Sequence, residues 1–398
     1  MTEDLVAHAT QQTASVVELA QELIRRPSRG GIDEYGPVLT VLEDWLAGRG
    51  VPHRRLYDDD DQLVGLLVEI AGGRPGPWWT LDACLDTASF GDDTAWTFSP
   101  TSGDVQEGWL LGRGSADSKL AASMFCHIAA DLQAQAADLR GGLAVLLDVD
   151  EHTGHFGGAR AYLGDPQAHH PAGVMIGYPG MDEVVVGGRG LWRATIAVHA
   201  PSGHSGSSRK VTSAITRAAR LVQLLDAADL PGSPEQGGFP LPPKVSVTAF
   251  HGGQGFSVSP DRVDLNLDIR TTPSFDAQDA ETLLRKAIAE LDAELPGPQD
   301  IDVDIVESWP PFQLQPDEQP AAALIQAAAS LGVSVRSKVA GPSNIGNLLA
   351  GEGEIPTTAG FGVPYEGLHG IDERAHLAEL PTVHAIYHQT VLRLLDAP

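Results

Sequence analysis

The sequence predicts a two-part α/β protein, a mostly parallel sheet flanked by helices and interrupted by a smaller inserted α+β domain. Three observations predict it. Apolar runs of strand length alternate with helical stretches as far as Tyr178, the pattern of a parallel sheet covered on both faces. At Gly187-Gly188-Arg189-Gly190 the texture changes to half-exposed alternating strands and two amphipathic helices. After Ser308-Trp309-Pro310-Pro311 the strand–helix alternation resumes. At 398 residues the chain exceeds the ~250–300 at which single cores usually divide. The expected division is 1–187 and 308–398 for the larger domain and 188–307 for the insert.

The elements follow in order. Val16, Val17, Leu19, Leu23 and Ile24 make a helical stripe over Ser15–Arg26, and a second helix covers Tyr35–Ala47 and stops at Gly48. Leu63–Ile70 reads as a strand closed by the turn signals of residues 72–77, and Trp78–Thr87 as another. An Ala-rich helix runs from Lys119 to about Gln135, and Leu143–Leu147 is a buried strand. In the insert, Leu191–His199, Lys244–His251 and Arg262–Arg270 read as strands, with helices at Val211–Leu225 and Asp276–Leu295 and a long loop at 232–243. Beyond it come a helix at Ala321–Leu331, a helix start at Ser343, a strand at Thr357–Phe361, a loop at 362–374 and a last helix to Leu395.

Composition narrows the function classes. The net charge of -27 repels phosphate backbones, so no nucleic-acid partner is expected. Two cysteines, Cys84 and Cys126, make no disulfide framework. No apolar run approaches the ~18–20 residues of a membrane span, and the first residues lack a basic leader. A cytoplasmic protein without a membrane partner is the expectation.

The chemistry concentrates at Leu146–Gly154, where the buried strand breaks into Asp148-Val149-Asp150-Glu151-His152. Carboxyl ends of parallel strands are where open α/β sheets build their sites. Glu151 beside His152 lets one act as general base while the other binds a metal; a solvated strand end is the bland alternative.

An ordered set of motifs surrounds that stretch: Asp86 in Leu85-Asp86-Thr87, Gly112-Arg113-Gly114 with Asp117 and Lys119, Asp150-Glu151, Ser202-Gly203-His204-Ser205-Gly206, and Leu368-His369-Gly370-Ile371-Asp372-Glu373. Over nearly the whole chain this set resembles the zinc metallopeptidase family of acetylornithine deacetylase, succinyl-diaminopimelate desuccinylase, aminoacylase-1 and glutamate carboxypeptidase. The resemblance implies a metal-dependent hydrolase that cleaves the amide bond of an N-acyl amino acid or small peptide-like substrate. It implies Asp117 as the aspartate that bridges two zinc ions, and Glu151 as the base that takes a proton from metal-bound water. One ion's further ligands fall on His152 and His369, the other's on Cys84 and Tyr178. His204 matches an oxyanion-stabilising histidine placed near a partner's site in a homodimer. Arg270 matches a binder of the substrate carboxylate, with a salt bridge to a surface acid, easy in a chain this acidic, as its alternative. Ser257 stands where many members carry a substrate-binding asparagine, and Ser343 and Asn344 where members place a substrate-contacting turn. The counterpart of Asp86 orients the histidine that Cys84 replaces, so here Asp86 either keeps a supporting task or bonds nearby backbone.

Zinc takes imidazole nitrogen as readily as carboxylate oxygen, so Asp117, His152 and His369 make a three-ligand site with an open position. A phenol such as Tyr178 is a poor ligand at neutral pH, and the Cys84 thiol ionises less easily beside Asp86 and Asp117. About one zinc ion per chain is therefore expected, with Cys84 as the alternative route to a second. The same three substitutions also fit a family member that no longer hydrolyses and acts as a ligand-binding or amide-handling protein.

Overall fold

The computed structural model describes residues 2–208, 212–232 and 238–396. Contacts divide the chain into two compact units. The first comprises 1–187, 314–338 and 344–398, the second 188–313 and 339–343.

The first unit is built on a six-stranded sheet in the order His53–Tyr57, Leu63–Ala71, Arg140–Asp148, Arg74–Asp82, Gly173–Ile176, Thr357–Ala359. Its last four strands run parallel, and its first two pair antiparallel at one edge. The central strand Arg140–Asp148 is buried from Gly141 onward, which explains why its sequence is an unbroken apolar run rather than an alternation. Helices α1 (Thr2–Ile24), α2 (Gly36–Gly48), α3 (Leu120–Ala134), α4 (Gly157–Gly164), α7 (Ala321–Ser330) and α8 (Leu380–Leu394) belong to this unit.

The second unit is a four-stranded antiparallel sheet, ordered Lys244–Gly252, Arg262–Thr271, Gly190–His199, Asp302–Trp309. Its helices α5 (Ala214–Asp226) and α6 (Ala277–Glu294) bury Leu221, Leu225, Leu284 and Leu291 against Trp192, Ile196, Val198, Leu265 and Leu267. Asp276 caps α6, accepting from the backbone N–H groups of Gln278 and Asp279, while Asp279 returns the bond to the Asp276 N–H.

Several elements differ from the sequence expectation, each for a physical reason. Helix α1 begins at Thr2 rather than Ser15, because its first turns dock through polar groups. His8 and Gln12 both hydrogen-bond Asp131 on α3, and neither adds to an apolar stripe. The strand His53–Tyr57 escaped notice because Leu56 is its only buried residue. The strand Asp302–Trp309 carries a register shift between Ile305 and Glu307, which breaks the two-residue alternation. Residues 72–77, expected as a turn, already include the start of the strand Arg74–Asp82. Helix α5 starts at Ala214, with Ser213 as its cap; Val211, the expected start, lies outside the described residues, as do residues 233–237 of the expected long loop. The segment expected to start a helix at Ser343 turns helical only at Ile345, and the 362–374 loop holds the short strand Tyr365–Glu366.

Candidate active site

The carboxyl ends of the parallel strands converge on one end of the first unit's sheet. Past Asp82 the chain stays extended, with Ala83 N–H donating to the Leu146 carbonyl and Leu85 N–H to that of Asp148. That extension places Cys84 and Asp86 beside the turn carrying Asp150, Glu151 and His152. Asp86 is fully buried and ties the two segments together. Its Oδ1 accepts the Glu151 N–H at 3.0 Å and its Oδ2 accepts the His152 N–H at 2.9 Å. Of the two expectations for Asp86, bonding to nearby backbone is thus observed directly.

Asp117 comes from the turn before α3. Gly114 enters that turn at φ +87°, and a Cβ there would come within 2.9 Å of the Lys119 and Thr87 side chains, so only glycine fits. The peptide bond between Asp117 and Ser118 is cis. Glu373 is the internal support of the turn: its Oε1 accepts the backbone N–H groups of Gly114 (3.0 Å), Ala116 (3.1 Å) and Asp117 (3.3 Å). Its other oxygen forms a buried ion pair with Arg113, which also donates to the Gly370 carbonyl at 2.7 Å. The short strand Arg374–His376 pairs with Trp109–Leu111, which is why residues 369–373 lie against the 112–117 turn. Lys119 donates to the carbonyls of Leu23 and Arg26, and burial pushes its ammonium down to about 7. The motifs contain Glu373, Arg113 and Lys119, but nothing in their spacing shows that they hold backbone.

His369 Nε2 lies 2.7 Å from Asp117 Oδ2, and His152 Nε2 lies 3.5 Å from the same oxygen. The two rings meet edge to face with centroids 5.2 Å apart. One donor atom from each of Asp117, His152 and His369 falls within 4.8 Å of the others. This set of one carboxylate and two imidazoles suits a zinc-type ion with an open position. The electrostatics agree. Burial opposes ionisation of Asp117, yet hydrogen bonds from His152 and His369 hold its carboxyl well below the usual range. Burial likewise disfavours charge on His152, but Asp117 and Asp86 on either side of its ring outweigh that and raise it well above its ordinary value. Burial and the neighbouring Asp117 push the Glu151 carboxyl up to about 7.

The second pair of expected ligands is held in its neutral form by its surroundings. Burial, with Asp86 and Glu151 nearby, raises the Cys84 thiol well above its ordinary value, and burial with Asp117 and Glu151 raises the Tyr178 phenol. Cys84, Asp86 and His152 form a further cluster whose donor atoms could hold a metal ion, with Sγ 3.4 Å from Asp86 Oδ1 and 3.7 Å from His152 Nδ1. Tyr178 follows the strand Gly173–Ile176 and bridges to Phe361.

Of the remaining candidates, His204, Ser257, Arg270 and Ser343 belong to the second unit and Asn344 to the first. In the second unit His204 is exposed on a two-residue strand paired with Val258–Ser259, and its Nδ1 accepts the Gly206 N–H at 3.0 Å. The Ser257 carbonyl accepts the Ser205 N–H, which fixes this loop next to His204. Arg270 makes a salt bridge to Asp268 at 2.8 Å, a half-buried acid on its own strand rather than the surface acid expected, and turns Nη1 to Ser343 Oγ at 3.3 Å. Asn344, in the first unit, has its side-chain oxygen taken by the Gly346 N–H and its own N–H by Asn347.

A family model described as peptidase family M20/M25/M40 matches residues 82–393. The chain belongs to that family. As a member of M20/M25/M40 it is a hydrolase, of a family that includes metal-dependent peptidases. The succinyl-diaminopimelate desuccinylase of Stenotrophomonas maltophilia strain R551-3 is 28% identical over 390 residues, covering 96% of this chain and 100% of the relative. A tripeptidase from Staphylococcus aureus superposes with a TM-score of 0.78 at 18% identity, covering 96% of this chain and 99% of that one. A Bacillus subtilis protein described as a dinuclear metal binding peptidase from the M20 family gives 0.74 at 14% identity, covering 98% and 100%. These M20 structures share the mixed α/β architecture.

Proposed function

We propose that this M20 hydrolase cleaves the amide bond of an N-acyl amino acid or small peptide-like substrate, using one zinc ion held by Asp117, His152 and His369. The observation that carries this reading is the convergence of those three donors beside Glu151 at the sheet's carboxyl end. A zinc ion bound there supplies Lewis acidity toward the amide carbonyl and toward water.

Glu151 is the proton carrier. It accepts a proton from the attacking water as the new C–O bond forms, and delivers it to the nitrogen as the C–N bond breaks. Its burial at the strand end, beside the three donors, suits a carboxyl that takes up and releases a proton. In this reading His204 donates to the oxyanion. The Gly206 N–H on Nδ1 makes that nitrogen an acceptor, so in the neutral ring the proton sits on Nε2, where a donor is needed. Arg270, with Ser343 beside it, receives the substrate carboxylate, with Ser257 and Asn344 as further contacts. We also propose a cytoplasmic homodimer formed through the second unit, at the strand expected over Leu191–His199 and the helix expected over Val211–Leu225; that strand is paired on both sides, so its face rather than its edge would meet the partner. A monomer by light scattering that retains full activity contradicts the dimer.

The test is elemental analysis after chelator-free purification, joined to turnover of an acyl-amino-acid panel headed by N-succinyl diamino acids. The succinyl group leads because the curated relative carries that activity in its name. Glu151→Gln is expected to lower kcat by about 10²–10⁴-fold, the usual worth of a general base. Absence of both metal and turnover selects the non-hydrolytic reading instead.

A further inference from the structure

We infer that Asp86 is the positioning residue that makes His152 a metal ligand, holding the ring with its proton on Nδ1 and its Nε2 lone pair toward Asp117 and His369. This rests on the proposed zinc site. It goes beyond the family resemblance, in which the counterpart of Asp86 serves the residue at position 84.

The Asp86 carboxylate is immobile, because each oxygen receives a backbone N–H from the turn that carries His152. The oxygen that accepts the His152 N–H also lies 3.4 Å from Nδ1 of the same residue's ring. Cys84 closes the other side of that nitrogen. Its Sγ–H donates to the Asp86 backbone carbonyl at 3.0 Å, which leaves sulfur lone pairs facing Nδ1 at 3.7 Å. Nδ1 is therefore bordered by acceptors, and a proton on it is favoured there. When a metal ion displaces the second proton of the ring, the Nδ1 proton is the one retained and Nε2 would be the ligand atom. That nitrogen faces Asp117 Oδ2.

A Cβ added to Gly30 would come within 3.0 Å of Asp86 Oδ2 and 3.1 Å of His152 Cβ, so glycine at this position leaves the space that both residues occupy. The arrangement is a carboxylate–imidazole–metal line assembled on a histidine that directly follows the proposed base. Such partners typically contribute about 10–100-fold to metal affinity.

The experiment is a four-way cycle of metal affinity, read by competition of Zn²⁺ or Co²⁺ against a chromophoric chelator. The proteins are the wild type, Asp86→Asn, His152→Glu and the double variant. Asp86→Asn should weaken binding by about 10–100-fold in the wild type and much less beside Glu at position 152, which has no ring to orient. Thermal unfolding of the metal-free proteins measures the loss of the backbone hydrogen bonds, which both backgrounds share. Equal loss of affinity in the two backgrounds overturns the inference and leaves the zinc site standing. Two wild-type measurements need no variant. Imidazole ¹⁵N shifts of the zinc-loaded protein should show the proton on His152 Nδ1, and ligation through Nδ1 overturns the inference. The cobalt-loaded protein should lack a thiolate-to-cobalt charge-transfer band, since its presence makes Cys84 a ligand rather than a neighbour of Nδ1. A wild type that binds neither ion sinks the proposed function and this inference with it.

Discussion

One enclosed histidine at the strand ends and three among the helices occupy the first unit, and their chemistry is opposite. At the strand ends, His152 lies between the carboxylates of Asp86 and Asp117, which raise its proton affinity despite burial. Among α1, α3 and α8, His127, His384 and His388 are just as enclosed, but burial lowers all three, His384 to about 3. The groups facing them are His8 from α1, Asp131 from α3 and Arg49 after α2, and Asp131 is the one acid among these. Among the described residues His384 Nε2 and His388 Nε2 have no hydrogen-bond partner. Burial alone thus lowers a histidine's proton affinity, and carboxylates on two sides of the ring raise it.

Four substitutions or conditions test this contrast, taken from the largest effect downward. His369→Ala should abolish metal binding by elemental analysis, because it leaves Asp117 and His152 as the only ligands of the set. A wild-type metal content in that variant would break the comparison at its root. Arg113→Ala strands Glu373 as an uncompensated buried charge, and breaking such a pair costs about 3–5 kcal/mol in chemical unfolding. An unchanged unfolding midpoint there refutes the role given to the clamp.

The third concerns acid. His384 binds fewer protons folded than unfolded, so its contribution is intact above the unfolded value of about 6.5 and falls as pH drops toward about 3. The slope for one such group is up to about 1.4 kcal/mol per pH unit. His384→Phe should therefore move the acid-unfolding midpoint to lower pH. A shift upward, or none, means that the histidine group does not control acid stability. The smallest effect belongs to Cys84→Ser. Metal stoichiometry should stay the same, and two ions in the wild type falling to one in this variant would restore a thiolate site.

The strand-end motifs were readable because their residues are chemically unusual where apolar strands stop: acid, acid and imidazole at 150–152, and Asp86 after Leu85. The ladder that brings them together follows from the same apolar runs. Less could be read where the work is done by backbone. Glu373 matters through three N–H groups more than 250 residues away, and no spacing encodes that. The turn of His152 toward both Asp86 and Asp117 depends on ring orientation, which a sequence leaves open. Likewise, Val339–Ser343 rejoins the second unit through contacts rather than through any periodic pattern.

The clamp between Glu373 and the 112–117 turn has a consequence for biosynthesis. The turn leaves the ribosome 256–259 residues before its partner. At about 5–20 residues per second the interval is roughly 10–50 s. Throughout it the N–H groups of Gly114, Ala116 and Asp117 lack their native acceptor, and the short strand at 374–376 has not yet been made. The carboxyl-terminal segment therefore acts as the latch on a site whose other walls are synthesised long before. Early release of the nascent chain would yield a sheet with its central strands paired and Asp117 unsupported.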